Sequence, residues 1–265
     1  MALQLQDKIC IVTGSADGIG KATALEMARR GGRVVVTDVN DTLGAETTKA
    51  IQDSGGDAIY IHCDVRSADE VQALVKGTVD RYGGIDVLHN NAGVHESAFA
   101  TDLSVDGLPL EAWDAVYEIN LRGVWLCTKY AAPYLKASTR GPAIVNASST
   151  GGHAGFPMCP VYTAAKHGVI GLTKVTAIDL VPVRCNSYSP GSTDTAMIRS
   201  YTEAAEDKEA AWKFQTENNL IRRLGDPHDI AKLVCFLASD EASWITGTDV
   251  LIDGGSLAWR GHHND

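Results

Sequence analysis

Tyr162 and Lys166 stand four residues apart in PVYTAAKHG, residues 160–168. On a helix that spacing sets both side chains on one face. A free phenol titrates at about pH 10, too high for a base at neutrality. A nearby ammonium favours the phenolate. The pair therefore has the parts of a proton-transfer device. An ordinary aromatic beside an ordinary surface lysine has the same spacing. Its meaning rests on what the rest of the chain brings to it.

Short apolar, β-branched runs alternate along the chain with longer amphipathic ones. KICIVTG, RVVVTD, AIYIHCD, IDVLHNNAG, PAIVNASS, RCNSYSPG and DVLIDGG read as seven strands or strand exits. Helices are predicted over 18–31, 41–54, 67–82, about 111–137 and 160–180, with another opened by Asp226 and Pro227 as N-cap and N1. Ser67 with Glu70 predicts a capping box. This alternation predicts an α/β fold: a doubly wound parallel sheet with helices on both faces. No linker or repeat interrupts it, so residues 1–265 read as a single domain. Residues 1–140 form mainly a cofactor half, and 141–265 carry the proton-handling residues. In such sheets ligands bind beyond the carboxyl ends of the strands.

Those ends are where chemistry is to be sought. TGSADGIG follows the first strand. Gly14, Gly18 and Gly20, with Asp17 and Ile19 among them, form a glycine-rich turn into a helix. Glycine there lets the backbone approach a pyrophosphate seated on the helix N-terminus. Asp38, followed by Val39, ends the second strand 18 residues past Gly20. An acid at that place suits the ribose hydroxyls of NAD and repels the extra phosphate of NADP. No Lys or Arg stands within the turn or just after Asp38 to receive that phosphate. Asp64 and Val65 follow the third strand, Asn91, Ala92 and Gly93 the fourth, and Ser148 and Ser149 the fifth. Pro190, Gly191, Thr193 and Thr195 follow the sixth.

Taken together and in this order, these motifs resemble those of the short-chain dehydrogenase/reductase family over almost the whole chain. TGSADGIG resembles the family's cofactor glycine motif, NNAG its motif after the fourth strand, and Tyr162 with Lys166 its Y-x-x-x-K. Asn120 in YEINLRG matches the helix asparagine, and Ser149 in IVNASSTGG the active-site serine, which the family's spacing to the tyrosine selects over Ser148. PGSTDT resembles the loop that holds the nicotinamide carboxamide, with Thr193 and Thr195 at the contacting positions. The resemblance implies hydride transfer between NAD and a carbon bearing oxygen, with Tyr162 as general base. Lys166 would bind the nicotinamide ribose, Ser149 would hydrogen-bond the substrate oxygen, and Asn120 would hold a water linking Lys166 to solvent. It also implies a homotetramer or dimer built through the helices at 111–137 and 160–180 and the C-terminal strand. The stretch between helix and sixth strand is shorter than the family's usual one, and the loop from Val94 to Glu111 is longer.

Composition narrows the field. Of 265 residues 45% are hydrophobic and 21% charged, the balance of a globular protein. A net charge of −10 argues against nucleic-acid partners, which need concentrated Lys and Arg. The N-terminus lacks a secretory layout, and no apolar run reaches membrane-spanning length. The six scattered cysteines read as reduced and mostly buried, and a cytoplasmic location follows. No His or Cys spacing suggests a metal site, and the terminal GHHND reads as a solvated tail.

For the substrate, His95, Ser149, His153, Phe156, Met158 and Met197 are candidate contacts. Residues about 192–221 are a candidate lid with an apolar stripe. The reading is an NAD-dependent alcohol dehydrogenase or ketone reductase. Its alternatives are an NADP-dependent 3-oxoacyl-type reductase and a non-catalytic NAD-binding regulator.

Overall fold

The computed structural model describes residues 4–204, 207–217 and 219–258. The terminal GHHND lies outside them. Seven strands form one all-parallel sheet: β1 (Ile9–Thr13), β2 (Arg33–Asp38), β3 (Asp57–His62), β4 (Val87–Asn90), β5 (Ala143–Ala147), β6 (Arg184–Pro190) and β7 (Asp249–Ile252). Their spatial order is β3-β2-β1-β4-β5-β6-β7. Helices α1 (Gly18–Arg29), α2 (Asp41–Asp53), α3 (Ala68–Tyr82), α4 (Leu110–Tyr117), α5 (Gly123–Ala137), α6 (Pro160–Asp179), α7 (Ala196–Ala204), α8 (Lys208–Glu217) and α9 (Pro227–Ala238) complete it.

The near-continuous apolar strands are explained by burial on both faces. Side chains alternate across a strand. On β1, Cys10 and Val12 enter one core with Met27 of α1, Ile51 of α2 and Ile230 and Val234 of α9. Ile11, between them, enters the other core with Val71 and Leu74 of α3 and Leu126 and Leu135 of α5. Each such side chain, fully buried, contributes about 1.5–3 kcal/mol.

Two local differences from the sequence expectation have physical causes. The single helix expected over 111–137 is α4 and α5 joined by a π-helical turn, Glu118–Arg122, with Asn120 at its centre. Pattern reading cannot separate a π turn from the α-helix around it, and such turns gather at functional sites. At α3 only half of the capping box forms. Ser67 accepts from the Glu70 N–H at 3.3 Å, but the Glu70 carboxylate accepts from the Asp64 N–H at 2.8 Å. The Ser67 N–H already donates to the Asp64 carbonyl and leaves Glu70 nothing to cap. The full box is at α9, between Asp226 and Asp229.

The order reverses direction between β1 and β4, where connections leave the sheet to opposite sides. A crevice opens at that switch point beyond the carboxyl ends. Asn90 on β4 donates to Asn146 on β5 at 2.8 Å, and Asn146 donates to Thr173 on α6 at 2.9 Å. This buried chain fixes α6 against the strands that flank the crevice.

Candidate active site

The crevice floor is backbone. Asn91, leaving β4, donates its amide to the carbonyls of Thr13 and Gly14 at 3.0 and 2.9 Å. Thr13 Oγ1 accepts from the N–H groups of Asn91 and Ala92 at 3.0 and 3.1 Å. The two strand exits are thereby locked together. Gly14 has φ +62°, and a Cβ there would lie 2.7 Å from Ala92 Cα. On Gly20 it would lie 2.0 Å from the Gly14 carbonyl oxygen. Only glycine permits this packing at both places.

Above this floor a cleft of about 560 Å³ runs across the switch point. Gly14, Asp17, Gly18, Ile19, Asp38, Val39, Asp64, Val65, Asn91, Ala92 and Gly93 line it, with Pro190, Thr195, Tyr162 and Lys166 at its inner end. Gly20 packs beneath the turn. Asp38 is held by the N–H groups of Ala16 and Asn40, both at 3.0 Å. Arg66 also lines the cleft, a cation the sequence reading did not place there. It grips Asp64, whose carboxyl it holds below the usual range. Two residues apart across a turn, the two form a local pair that no strand or helix period would flag.

A second cavity of about 590 Å³ adjoins the first. Ser149, His95, Met158, Met197, Phe156, Gly191 and Thr193 line it. Thr193 Oγ1 donates to the Gly191 carbonyl at 3.0 Å, which closes the loop after β6 on itself. Tyr162 lines both spaces. His153 does not line the cavity. Its Nε2 lies 2.8 Å from Asp249 on β7 and 3.2 Å from Ser189 on β6, so the substrate role expected for it is corrected to a link between the loop after β5 and the sheet.

The helix spacing behaves as expected. Lys166 is buried, and its Nζ lies 5.5 Å from the Tyr162 ring centroid and donates to the Ala147 carbonyl at 2.8 Å. Burial pushes this ammonium down to about 8. Burial also raises the Tyr162 phenol, opposed by a hydrogen bond with Ser149 and reinforced by Cys159 and Glu96. Desolvation is the largest influence on the phenol. Ser148 and Ser149 part company at the end of β5. Ser148 is buried and donates to the Lys166 carbonyl at 3.0 Å, anchoring α6. Ser149 faces the cavity.

Asn120 is wholly buried. Its Oδ1 accepts from the Val94 N–H and its Nδ2 donates to the Val94 carbonyl, both at 2.8 Å. The side chain is thus a clamp on the loop after β4. A Cβ on Gly93 would stand 3.4 Å from Asn120 Oδ1 and 3.5 Å from Lys166 Nζ, so the glycine keeps the space between them open. Among the described residues no cluster of three or more His, Cys, Asp or Glu is placed to hold a metal ion. No described helix is long and apolar enough to cross a membrane.

A nicotinamide dinucleotide fits this donor set. The glycine floor leaves room for a pyrophosphate at the start of α1, an acid stands at the end of β2, and a buried ammonium with one protein acceptor waits at the inner end. Comparison with known proteins agrees. A family model described as enoyl-(acyl carrier protein) reductase matches residues 14–256. The chain is 36% identical to the 3-oxoacyl-[acyl-carrier-protein] reductase of Thermotoga maritima, over 96% of this chain and 99% of that one. It is also 36% identical to the 2,5-dichloro-2,5-cyclohexadiene-1,4-diol dehydrogenase of Sphingobium indicum, over 96% and 98%. The solved structure of Thermoplasma acidophilum aldohexose dehydrogenase is similar with a TM-score of 0.87, 33% identity and full coverage of both chains. The chain belongs to the short-chain dehydrogenase/reductase family of oxidoreductases, which use NAD or NADP.

Proposed function

We propose that the protein is an NAD(H)-dependent dehydrogenase/reductase that interconverts a secondary alcohol and a ketone. The observation that carries this reading is the position of Tyr162. It is shared by a glycine-floored cleft and an apolar cavity, with Ser149 on the same cavity wall and Lys166 one turn on. In this reading Gly14, Gly18, Gly20 and the α1 N-terminus receive the pyrophosphate. Asp38 takes the adenosine ribose, Lys166 the nicotinamide ribose, and the loop from Pro190 to Thr195 the carboxamide. When bound, the dinucleotide supplies the hydride acceptor or donor and, oxidised, a positive charge beside the phenol. Ser149 orients the substrate oxygen and steadies its developing charge. Tyr162 takes the alcohol proton in oxidation and returns it in reduction. Asn120 holds the loop after β4, and with it the floor near Lys166, in place.

The cavity supports a cyclic or medium-sized substrate of mixed, mainly apolar character. Phe156, Met158, Met197, Ile198 and Phe214 supply the apolar wall, and the described residues of 192–221 would serve as its lid. No Lys or Arg lines the cavity among the described residues, and its one charged carboxylate is Glu217. That lining disfavours anionic substrates. The relationship to a 3-oxoacyl reductase makes an NADP-linked ketone reductase the second reading. Asp38, which would face the 2′-phosphate, weighs against it. Exposed apolar side chains on α4 to α6, among them Trp113, Trp125, Val175 and Ile178, support assembly as a homotetramer or dimer. Six free cysteines, five of them buried, support a reducing, cytoplasmic setting.

The test is a panel of cyclic and acyclic secondary alcohols and ketones, sugar-derived and dihydrodiol substrates included, assayed with each coenzyme. Turnover of neutral cyclic alcohols with NAD well above NADP is expected. Turnover confined to NADPH and carrier-linked ketones would install the second reading, and coenzyme binding with no turnover would indicate a regulator.

A further inference from the structure

The catalytic helix begins without a cap of its own. Cys159 is its N-cap residue and makes no side-chain capping bond, and Pro160 follows. The orphan N–H of Tyr162, in the first turn, is instead taken by Glu96, whose Oε1 accepts it at 2.7 Å. Glu96 comes from the loop after β4, 66 residues earlier. It is a fully buried carboxylate, and Oε2 has no conventional hydrogen bond. A buried carboxylate is costly to keep unless its oxygens are engaged, so its presence here calls for a role.

The neighbouring His95 shows how the second oxygen is addressed. The Ser97 backbone N–H, an obligate donor, points at His95 Nδ1 from 3.2 Å. Nδ1 must therefore be the acceptor, and the proton of the neutral ring lies on Nε2. Nε2 faces Cys159 Sγ at 3.1 Å and Glu96 Oε2 at 3.4 Å. Burial holds His95 below its ordinary value, in keeping with a neutral ring, while Glu96 opposes that shift. Its two nitrogens are directed at protein partners, which leaves the ring edge to form cavity wall. The ring centroids of His95 and Tyr162 are 5.6 Å apart.

We propose that Glu96 is a positioning residue for Tyr162: it caps the helix at the tyrosine's own amide, is oriented by His95, and keeps a carboxylate at the start of the helix that carries the phenol. The proposal rests on the dehydrogenase reading given above. A carboxylate there opposes phenolate formation and adds to the larger effect of burial on the phenol. The titratable groups that face Tyr162 are Glu96 and His95 from the loop after β4, Cys159 at the N-cap of α6, Lys166 on α6, and Tyr188 from β6. Of these, Glu96 is the carboxylate.

The experiment compares Glu96→Gln with the unaltered protein. Glutamine keeps an acceptor for the Tyr162 amide and removes the charge. With an alcohol found in the panel, the acidic limb of kcat/KM is expected to move toward lower pH by about half a unit or more. Tm should change little. Glu96→Ala, which also removes the cap, should lower Tm and kcat together. If Glu96→Gln does not fold, Glu96→Ala combined with Cys159→Ser replaces it. There an N-cap serine offers the amide a new acceptor, and the same movement of the limb is expected. An unmoved limb in the folded variant overturns the proposal and leaves Glu96 a structural residue. A limb that disappears in His95→Gln overturns it too, since the titrating group would then be the histidine. Tyr162→Phe separates the two levels. Its retained turnover would remove the dehydrogenase reading itself, whereas its loss beside an unmoved limb in Glu96→Gln removes only the role of Glu96.

Discussion

The cleft and the cavity that meet at Tyr162 are built in different ways. The cleft is assembled from the exits of successive parallel strands, and much of its floor is backbone locked by Thr13 and Asn91. The cavity is assembled from side chains on loops and on α7 and α8, which lie far apart in the chain. Phe214, on its wall, is 61% exposed, so the wall is only partly packed. A floor of backbone and glycine tolerates almost no change of side chain. A wall of partly exposed apolar groups tolerates many. On the proposed reading, the first region fixes the reaction class and the second the substrate choice.

The difference can be strained from either side. The largest effect is expected at the seam. Tyr162→Phe should lose turnover by about a thousandfold or more while NADH binding, read by fluorescence, stays within a few-fold. Turnover near the unaltered level would break the assignment of the proton to the phenol. Next comes the cleft. Asp38→Ala should lower kcat/KM with NAD by about tenfold or more and raise the relative use of NADP. An unchanged coenzyme ratio would mean that Asp38 only braces the glycine turn through Ala16 and Asn40. On the cavity side, Phe214→Ala should change KM by roughly three- to tenfold, differently for different alcohols, at nearly constant coenzyme KM. A matching loss in coenzyme affinity would show that the two regions are not separable.

The smallest effect reads stability rather than rate. The Lys166 ammonium is held at about 8 against an ordinary 10.5. The folded state thus binds fewer protons than the unfolded between those values, and stability rises with pH through that window. At pH 7 the buried charge carries its full cost. Lys166→Met should accordingly gain about 2 kcal/mol at pH 7, net of the lost bond to Ala147, or about 5 °C in Tm, while turnover collapses. The gain should fade as pH approaches 10.5. A loss of Tm at pH 7 would mean that the Ala147 bond outweighs desolvation.

Much of the cleft was legible in the sequence because its signals are local. Strand exits follow apolar runs, and the glycines and Asp38 follow the exits. The helix spacing of Tyr162 and Lys166 carried over to one face of α6 for the same reason. His153 was misread because adjacency to Ser149 in sequence says nothing about direction. The chain turns after Ser149, and the imidazole meets Asp249 almost a hundred residues on. Glu96 was overlooked because its partner is the Tyr162 amide, and a backbone N–H leaves no mark in a sequence.

By itself the sequence determined the alternation of strands and helices, the parallel sheet and the polar or glycine-rich turns at its carboxyl ends. These depend on residue type, period and spacing, which are properties of the chain read in order. Tertiary structure alone decided the strand order and the switch point, the π turn around Asn120, and the sign of the shift at Tyr162. It also decided which carboxylate accepts from the Tyr162 amide at the start of α6. Those outcomes follow from desolvation and from contacts between distant segments, and neither exists until the chain has closed on itself.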